Sequence, residues 1–242
     1  MSYLNNKPLL RCADFICEHK NADDMYYCRN YKDCVSYDKQ SCLRPTEEIT
    51  SDFVVSNSLK CITSKEVITR EDFAVYLTNL NLTNIAVEVG THRGEYANMF
   101  LSRWKGKSFY AVDIWDKFFG DPLGDSEYRN DDYQETIDVL DKYKSTTNIN
   151  ILKMTSVDGS KIVPNDIDFV YIDANHLYSY VKQDIETWYP KIKSGGIIGG
   201  HDYVKKNIYG SLGIKIAVDE FAIKNNKDVY YIPNNSSWYI IK

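Results

Sequence analysis

The 242-residue sequence contains no apolar run long enough to span a bilayer, and its first fourteen residues hold only the short apolar patch Pro8-Leu9-Leu10. The first lack argues against a transmembrane protein. The second argues against a cleaved secretory leader, which needs a sustained apolar stretch. Both point to a cytoplasmic protein with no membrane partner. An excess of positive charge is also missing: 29 Lys and Arg face 34 Asp and Glu, for a net charge of −5. Holding nucleic acid by neutralising phosphates requires a basic surface, so a nucleic-acid partner is disfavoured. No C-x2-C pair occurs, which weakens any reading of the cysteines as a zinc knuckle. Internal repeats and low-complexity tracts are absent as well.

What remains is a composition of 43% hydrophobic and 26% charged residues, enough for one globular α/β domain with an appendage. Five of the six cysteines, Cys12, Cys17, Cys28, Cys34 and Cys42, precede Pro45 at spacings of five, eleven, six and eight. The composition changes after it, so residues 1–50 read as a Cys-rich segment and 51–242 as the main domain. For the cysteines, free thiols and a Zn2+ site with His19 stand as comparable readings. Disulfides would need an oxidising compartment.

Beyond Pro45 the pattern becomes regular. Ser64 to Asn79 reads as a helix with Ser64 as cap and Val67, Ile68, Phe73 and Leu77 on its buried face. Apolar runs at 85–89, 108–112, 149–154, 167–172 and 196–199 then alternate with helical periodicities near 96–104, 133–144, 178–191 and 214–224. Strands separated by helices of that length make right-handed βαβ units and a mainly parallel sheet. Val229 to Ile232 and Trp238 to Ile241, joined by Pro233-Asn234-Asn235-Ser236, read as a terminal antiparallel hairpin. The expected fold is therefore α/β, a doubly wound, mainly parallel, seven-stranded sheet with a C-terminal antiparallel hairpin.

In such a sheet ligands bind beyond the carboxyl ends of the strands. Those ends are Glu88 to Gly94, Asp113, Thr155-Ser156, Asp173 and His201-Asp202. Glu88-Val89-Gly90-Thr91-His92-Arg93-Gly94 places two glycines four apart in a strand-to-helix turn, where the backbone can approach a ligand closely. It is not G-x-G-x-x-G, and an acid at Glu88 disfavours a pyrophosphate. A cationic ligand suits it better. S-adenosylmethionine carries an ammonium and a sulfonium, and its ribose hydroxyls could donate to Asp113. The alternative is a structural turn with a solvated acid.

Three segments, Glu88 to Gly94, Tyr110-Ala111-Val112-Asp113 and Asp168-Phe169-Val170-Tyr171-Ile172-Asp173-Ala174-Asn175-His176, together resemble the successive motifs of class I S-adenosylmethionine-dependent methyltransferases. Asp184 to Pro190 and Lys193-Ser194-Gly195-Gly196 are similar to the macrocin O-methyltransferase-like and catechol O-methyltransferase-like branch. The resemblance covers roughly residues 83–242. It implies that Glu88, Gly90, Thr91 and Gly94 border the methionine moiety and that Asp113 holds the ribose. It further implies that Ile114 flanks the purine and that Thr155 and Ser156 lie beside the adenine. For the last two a helix cap is an equal reading.

The resemblance also implies that Asp173 binds a divalent metal such as Mg2+ and that His176 is the general base, with His201 able to assist. His201-Asp202 departs from the acidic pair of that branch. Three readings therefore stay open: Mg2+ on Asp173, Asp202 and waters; a softer ion through His201; or no metal. The implied reaction is methylation of a hydroxyl on a small polar acceptor, a sugar or glycan being one candidate. N- or C-methylation without metal and a non-catalytic binding module are the alternatives, and the oligomeric state, a homo-oligomer included, stays open. The loop from Trp115 to Asp132 is long enough for a lid.

Overall fold

A computed structural model describes residues 11–12, 15–16, 59–116, 129–203 and 213–242. The first two pairs form a short antiparallel bridge. The readings made for the rest of the Cys-rich segment, for the boundary near residues 45–58 and for 117–128 of the long loop lie outside the described residues.

Among the described residues the main domain has eight strands and six α-helices: β1 (Cys61–Thr63), α1 (Phe73–Asn79), β2 (Ile85–Val89), α2 (Glu95–Arg103), β3 (Ser108–Asp113), α3 (Arg129–Asp141), β4 (Asn148–Lys153), α4 (Ser156–Ile162), β5 (Ile167–Ile172), α5 (Tyr178–Trp188), β6 (Ile192–Gly200), α6 (Gly213–Lys224), β7 (Val229–Ile232) and β8 (Ser237–Ile241). The sheet order is β1-β7-β8-β6-β5-β2-β3-β4. All pairings are parallel except those of β8, which runs antiparallel to both β6 and β7.

The sheet has eight strands where the sequence pattern predicts seven. The extra one, β1, is three residues long with an exposed-intermediate-exposed pattern, so it carries no hydrophobic signal. It exists because Cys61, Ile62 and Thr63 find backbone partners on the open edge of β7. The predicted helix from Ser64 is also shorter than expected. The Ser64 hydroxyl accepts from the Val67 amide and pairs with the Tyr239 hydroxyl, and a Thr69/Asp72 capping box then starts the short 3-10 turn Arg70–Asp72 that leads into α1. Val67, Phe73 and Leu77 are buried, whereas Ile68, expected on the same face, is 49% exposed because no helix exists yet at that position.

Alternation along each strand sends neighbours to opposite faces. Val87, Val89, Val170 and Ile172 pack with Val181, Ile185 and Trp188 of α5 and Val218 of α6. Ala86, Phe169 and Tyr171 pack with Phe73, Tyr96 and Phe100 of α1 and α2. The second layer is aromatic: Phe169 stacks on Phe100 at 5.5 Å, and Tyr171 on Tyr96 at 4.1 Å. Glu88 lies on this aromatic face, in register with Tyr171 on one side and Ala111 on the other. Asp168 closes the opposite end of the sheet, where its buried carboxylate accepts from the amides of Asn84 and Ile85 and pairs with Lys193.

One buried acid sits under α4. Asp184 of α5 is held by the Ser156 hydroxyl, and burial pushes its carboxyl up to about 7 from the ordinary 3.8. Its folded pKa is raised, so its contribution is complete below the unfolded value and is lost as pH rises through 7. The full loss is on the order of 4 kcal/mol, taking about 1.4 kcal/mol per pKa unit. The melting temperature of the protein is therefore expected to fall between pH 5 and pH 8, and Asp184→Asn is expected to flatten that fall. Equal slopes for the two proteins would show that Asp184 does not titrate in this window.

Candidate active site

Because β2 to β6 run parallel, their carboxyl ends open on one edge, and the strand ends singled out from the sequence lie there. The bend after β2 is fixed first. Gly90 has φ +91° and its amide donates to the Val112 carbonyl, which continues the sheet by one rung. A Cβ on Gly90 would lie 2.4 Å from the Asp173 carbonyl oxygen and 2.5 Å from the backbone of Ala174. The chain at the end of β5 thus passes where any side chain would stand. Gly94, at φ +78°, caps the start of α2.

The bend is clamped from α3 and from the end of β3. The His92 carbonyl accepts from the Thr136 hydroxyl at 2.7 Å and the Trp115 indole at 2.6 Å. Arg93 and His92 both reach Asp132. Asp113 accepts from the amides of His92 and Trp115 at 2.9 and 3.1 Å. His92 and Trp115 both have positive φ, a conformation rarely adopted by non-glycine residues and retained here by those contacts.

Glu88 is 2% exposed. Burial pushes its carboxyl well above the usual carboxylate range, and the charges of Asp173 and Asp113 push it further. Among the described residues, the buried Glu88 Oε2 and Thr91 hydroxyl have no partner beyond their contact with each other. Two buried polar groups satisfied by so little mark a site that expects a polar ligand. An ammonium for Glu88 and ribose hydroxyls for Asp113 match what these residues offer, so the edge fits S-adenosylmethionine.

Next to this bend stands a charged cluster. His176 bridges two acids, with Nε2 at 3.4 Å from Asp173 Oδ1 and Nδ1 at 3.3 Å from Asp202 Oδ2. His201 Nδ1 lies 3.3 Å from Asp202 Oδ1 and 3.7 Å from Asp173 Oδ1. Burial disfavours the imidazolium of His176, but hydrogen bonding and charge from Asp173, with the charge of Asp202, outweigh it and raise its pKa. Burial works against the Asp173 carboxylate too, yet His176, His201 and Arg70 hold it below the ordinary range. The loop is braced from below: Asn175 Oδ1 accepts from the Leu177 amide, and Gly213 packs against the His176 carbonyl with no room for a Cβ.

Thr155 and Ser156 sit at the end of β4. The Thr155 hydroxyl accepts from the Asp158 amide as the cap of α4 and donates to its carboxylate. Ser156 accepts from the Trp188 indole. Ile114 is half-buried beside Asp113.

Arg70 is the residue the sequence reading misses. Its guanidinium lies 3.5 Å from Asp173 Oδ2, hydrogen-bonds the Tyr171 phenol and covers the Tyr96 ring at 5.5 Å. In a helix read from Ser64, Arg70 lies past the first turn, and only the observed start at Thr69 puts it where a cation opposes the helix dipole and calls for an anionic partner.

The family's divalent metal does not fit this cluster. Among the described residues no three His, Cys, Asp or Glu side chains are disposed to hold a metal ion. Asp173, Asp202 and His201 do come together, but as partners in ion pairs, each carboxylate oxygen facing a nitrogen donor. Mg2+ needs oxygen lone pairs converging at about 2.1 Å.

Comparison with known proteins agrees with the topology. A model described as a methyltransferase domain matches residues 87–203. No curated protein sequence matches the chain. Among solved structures, the O-methyltransferase NovP is 18% identical over 72% of this chain and 77% of its own, with a TM-score of 0.54. A putative caffeoyl-CoA O-methyltransferase from Staphylococcus aureus is 14% identical over 88% of this chain and 99% of its own, at 0.55. CalS11, a calicheamicin methyltransferase, is 15% identical over 87% and 85%, also at 0.55. At these identities the structural likenesses carry the fold. The matched segment spans the bend at Gly90, Asp113, Asp173 and the His201-Asp202 pair, and the chain shares the fold of these methyltransferases.

Proposed function

We propose that the protein transfers a methyl group from S-adenosylmethionine to a hydroxyl oxygen of a small polar acceptor, a sugar or glycan being one candidate, with His176 as general base. The observation that carries this reading is the tight crossing at Gly90, where the Asp173–Ala174 backbone passes at the place of a Cβ and so brings the buried Glu88 and Thr91 next to the imidazole bridged between Asp173 and Asp202. The cofactor, when bound, supplies an electrophilic methyl on a sulfonium. Glu88 takes the ammonium, and burial in an apolar layer makes that pairing strong. Thr91 adds a hydrogen bond, Gly90 and Gly94 keep the backbone close, and Asp113 accepts from the ribose while Ile114 covers one purine face. The hydroxyls of Thr155 and Ser156 are engaged within the protein, so that stretch offers the purine a positioned backbone.

His176 removes the acceptor's proton as its oxygen attacks. For this step Nε2 exchanges its 3.4 Å contact with Asp173 for the acceptor hydroxyl, while Asp202 stays on Nδ1 and favours the imidazolium that forms, as an acid behind a catalytic histidine does. His201, oriented by the same two acids, is placed to hold the acceptor. No helix among the described residues is long and apolar enough to cross a membrane. The proposed setting is the cytoplasm, and the proposed partner a small molecule rather than a nucleic acid.

Pools of hydroxylated metabolites incubated with the protein and methyl-labelled cofactor are expected to yield a labelled product heavier by one CH2 unit, its label on oxygen. Label on nitrogen or carbon would move the reading to the alternative chemistry. Failure to bind either S-adenosylmethionine or S-adenosylhomocysteine would make the protein a non-catalytic module.

A further inference from the structure

The charged cluster contains its own cation. Asp173 meets Arg70 on Oδ2 and both histidines on Oδ1, while Asp202 meets His176 on Oδ2 and His201 on Oδ1. All four carboxylate oxygens thus face nitrogen, and a hard cation could gather them only by displacing these pairings. A divalent ion placed there would also stand beside a guanidinium that cannot give up its proton.

Arg70 is not a loose surface arginine. The Tyr171 phenol, the Tyr96 ring and Asp173 fix its head from three sides, and the Tyr96 hydroxyl reaches back to the Arg70 carbonyl at 3.4 Å. Tyr96 and Tyr171 are themselves stacked in the aromatic layer, so the support is rigid. The side chain nevertheless stays 28% exposed, and its planar fork has more N–H groups than these partners use.

We propose that this methyltransferase works without a metal ion, and that Arg70 does the metal's work: its guanidinium donates to the acceptor oxygen, favours the ionised form of that oxygen and sets its line of attack on the methyl carbon. The inference rests on the methyl-transfer reading above. In the step, the acceptor's proton passes to His176, the new O–C bond forms as the S–C bond breaks, and the bonding pair returns to sulfur, leaving neutral S-adenosylhomocysteine. A fixed, pre-oriented cation costs no reorganisation during the reaction.

The test uses the full chain and three measurements. Mn2+, titrated alone by calorimetry and followed by electron paramagnetic resonance, is expected to show no saturable site on the wild type. The double variant Arg70→Ala, His201→Asp, which clears the guanidinium and restores oxygen ligands, is expected to bind one Mn2+ per chain at least tenfold more tightly. With labelled cofactor and an accepting pool, turnover is expected to survive EDTA unchanged, to fall about 100-fold in Arg70→Ala, and to recover at least tenfold on adding free guanidinium.

Stoichiometric Mn2+ on the wild type, or loss of turnover in EDTA, would overturn the proposal. So would a double variant that melts cooperatively and binds S-adenosylhomocysteine yet gains no Mn2+, or an Arg70→Ala protein as active as the wild type. If the wild type failed to bind S-adenosylhomocysteine at all, the methyl-transfer reading would fall, and the Mn2+ titrations would still report on the cluster by themselves.

Discussion

Gly90→Ala is expected to destabilise the fold by about 2–4 kcal/mol and to eliminate binding of S-adenosylhomocysteine. Two costs add. The φ of +91° is strained for any residue with a Cβ, and that Cβ would meet the Asp173 carbonyl oxygen at 2.4 Å. The obstructing atoms are backbone at the end of a central strand, so nothing flexible can yield. Relief requires β2 and β5 to separate where Glu88, Asp173 and the cofactor must converge. Thermal melting and calorimetry on the purified variant measure the two effects separately. A protein that melts like the wild type and binds normally would mean that the bend is not the tight crossing described here.

His176→Ala is the second large effect. Removing a positioned base is expected to lower kcat by roughly 10²–10⁴, while the affinity for S-adenosylhomocysteine changes by less than about threefold, since Glu88 and Asp113 carry that affinity. Single-turnover kinetics with labelled cofactor, alongside calorimetry, separate the two quantities. Loss of cofactor affinity with turnover retained would assign His176 to binding and leave the reaction without its base.

The parts of the site that were legible in the sequence share one cause. A parallel strand buried on both faces is an unbroken apolar run, so its end is marked by the first polar residue, and Gly90, Asp113, Asp173 and His201-Asp202 all announce themselves that way. Periodicity likewise located α2, α3, α5 and α6, but not the seven-residue α4, which is too short to show a repeat. What escaped depends on contacts distant in the chain. Arg70 lies in a turn that reads as solvent-facing helix, and only the folded sheet brings Asp173 to it. The strand Cys61–Thr63 has no apolar pattern because it is an edge, recruited by the open side of β7. Ile68 was misplaced because the helix starts at the Thr69/Asp72 box and not at Ser64. Asp184 shows the limit of polarity patterns: a carboxyl that stays in an apolar interface by taking up a proton is indistinguishable, in sequence, from one facing water.

Titration of the full chain with S-adenosylhomocysteine, beside the isosteric variant Glu88→Gln, bears most directly on whether the Gly90 bend and its buried acid form a pocket for the ammonium end of the cofactor. One site per chain on the wild type is expected, weakened roughly 10- to 100-fold by the substitution, the worth of a charge-assisted hydrogen bond. No binding to the wild type, or equal binding to both proteins, would contradict it.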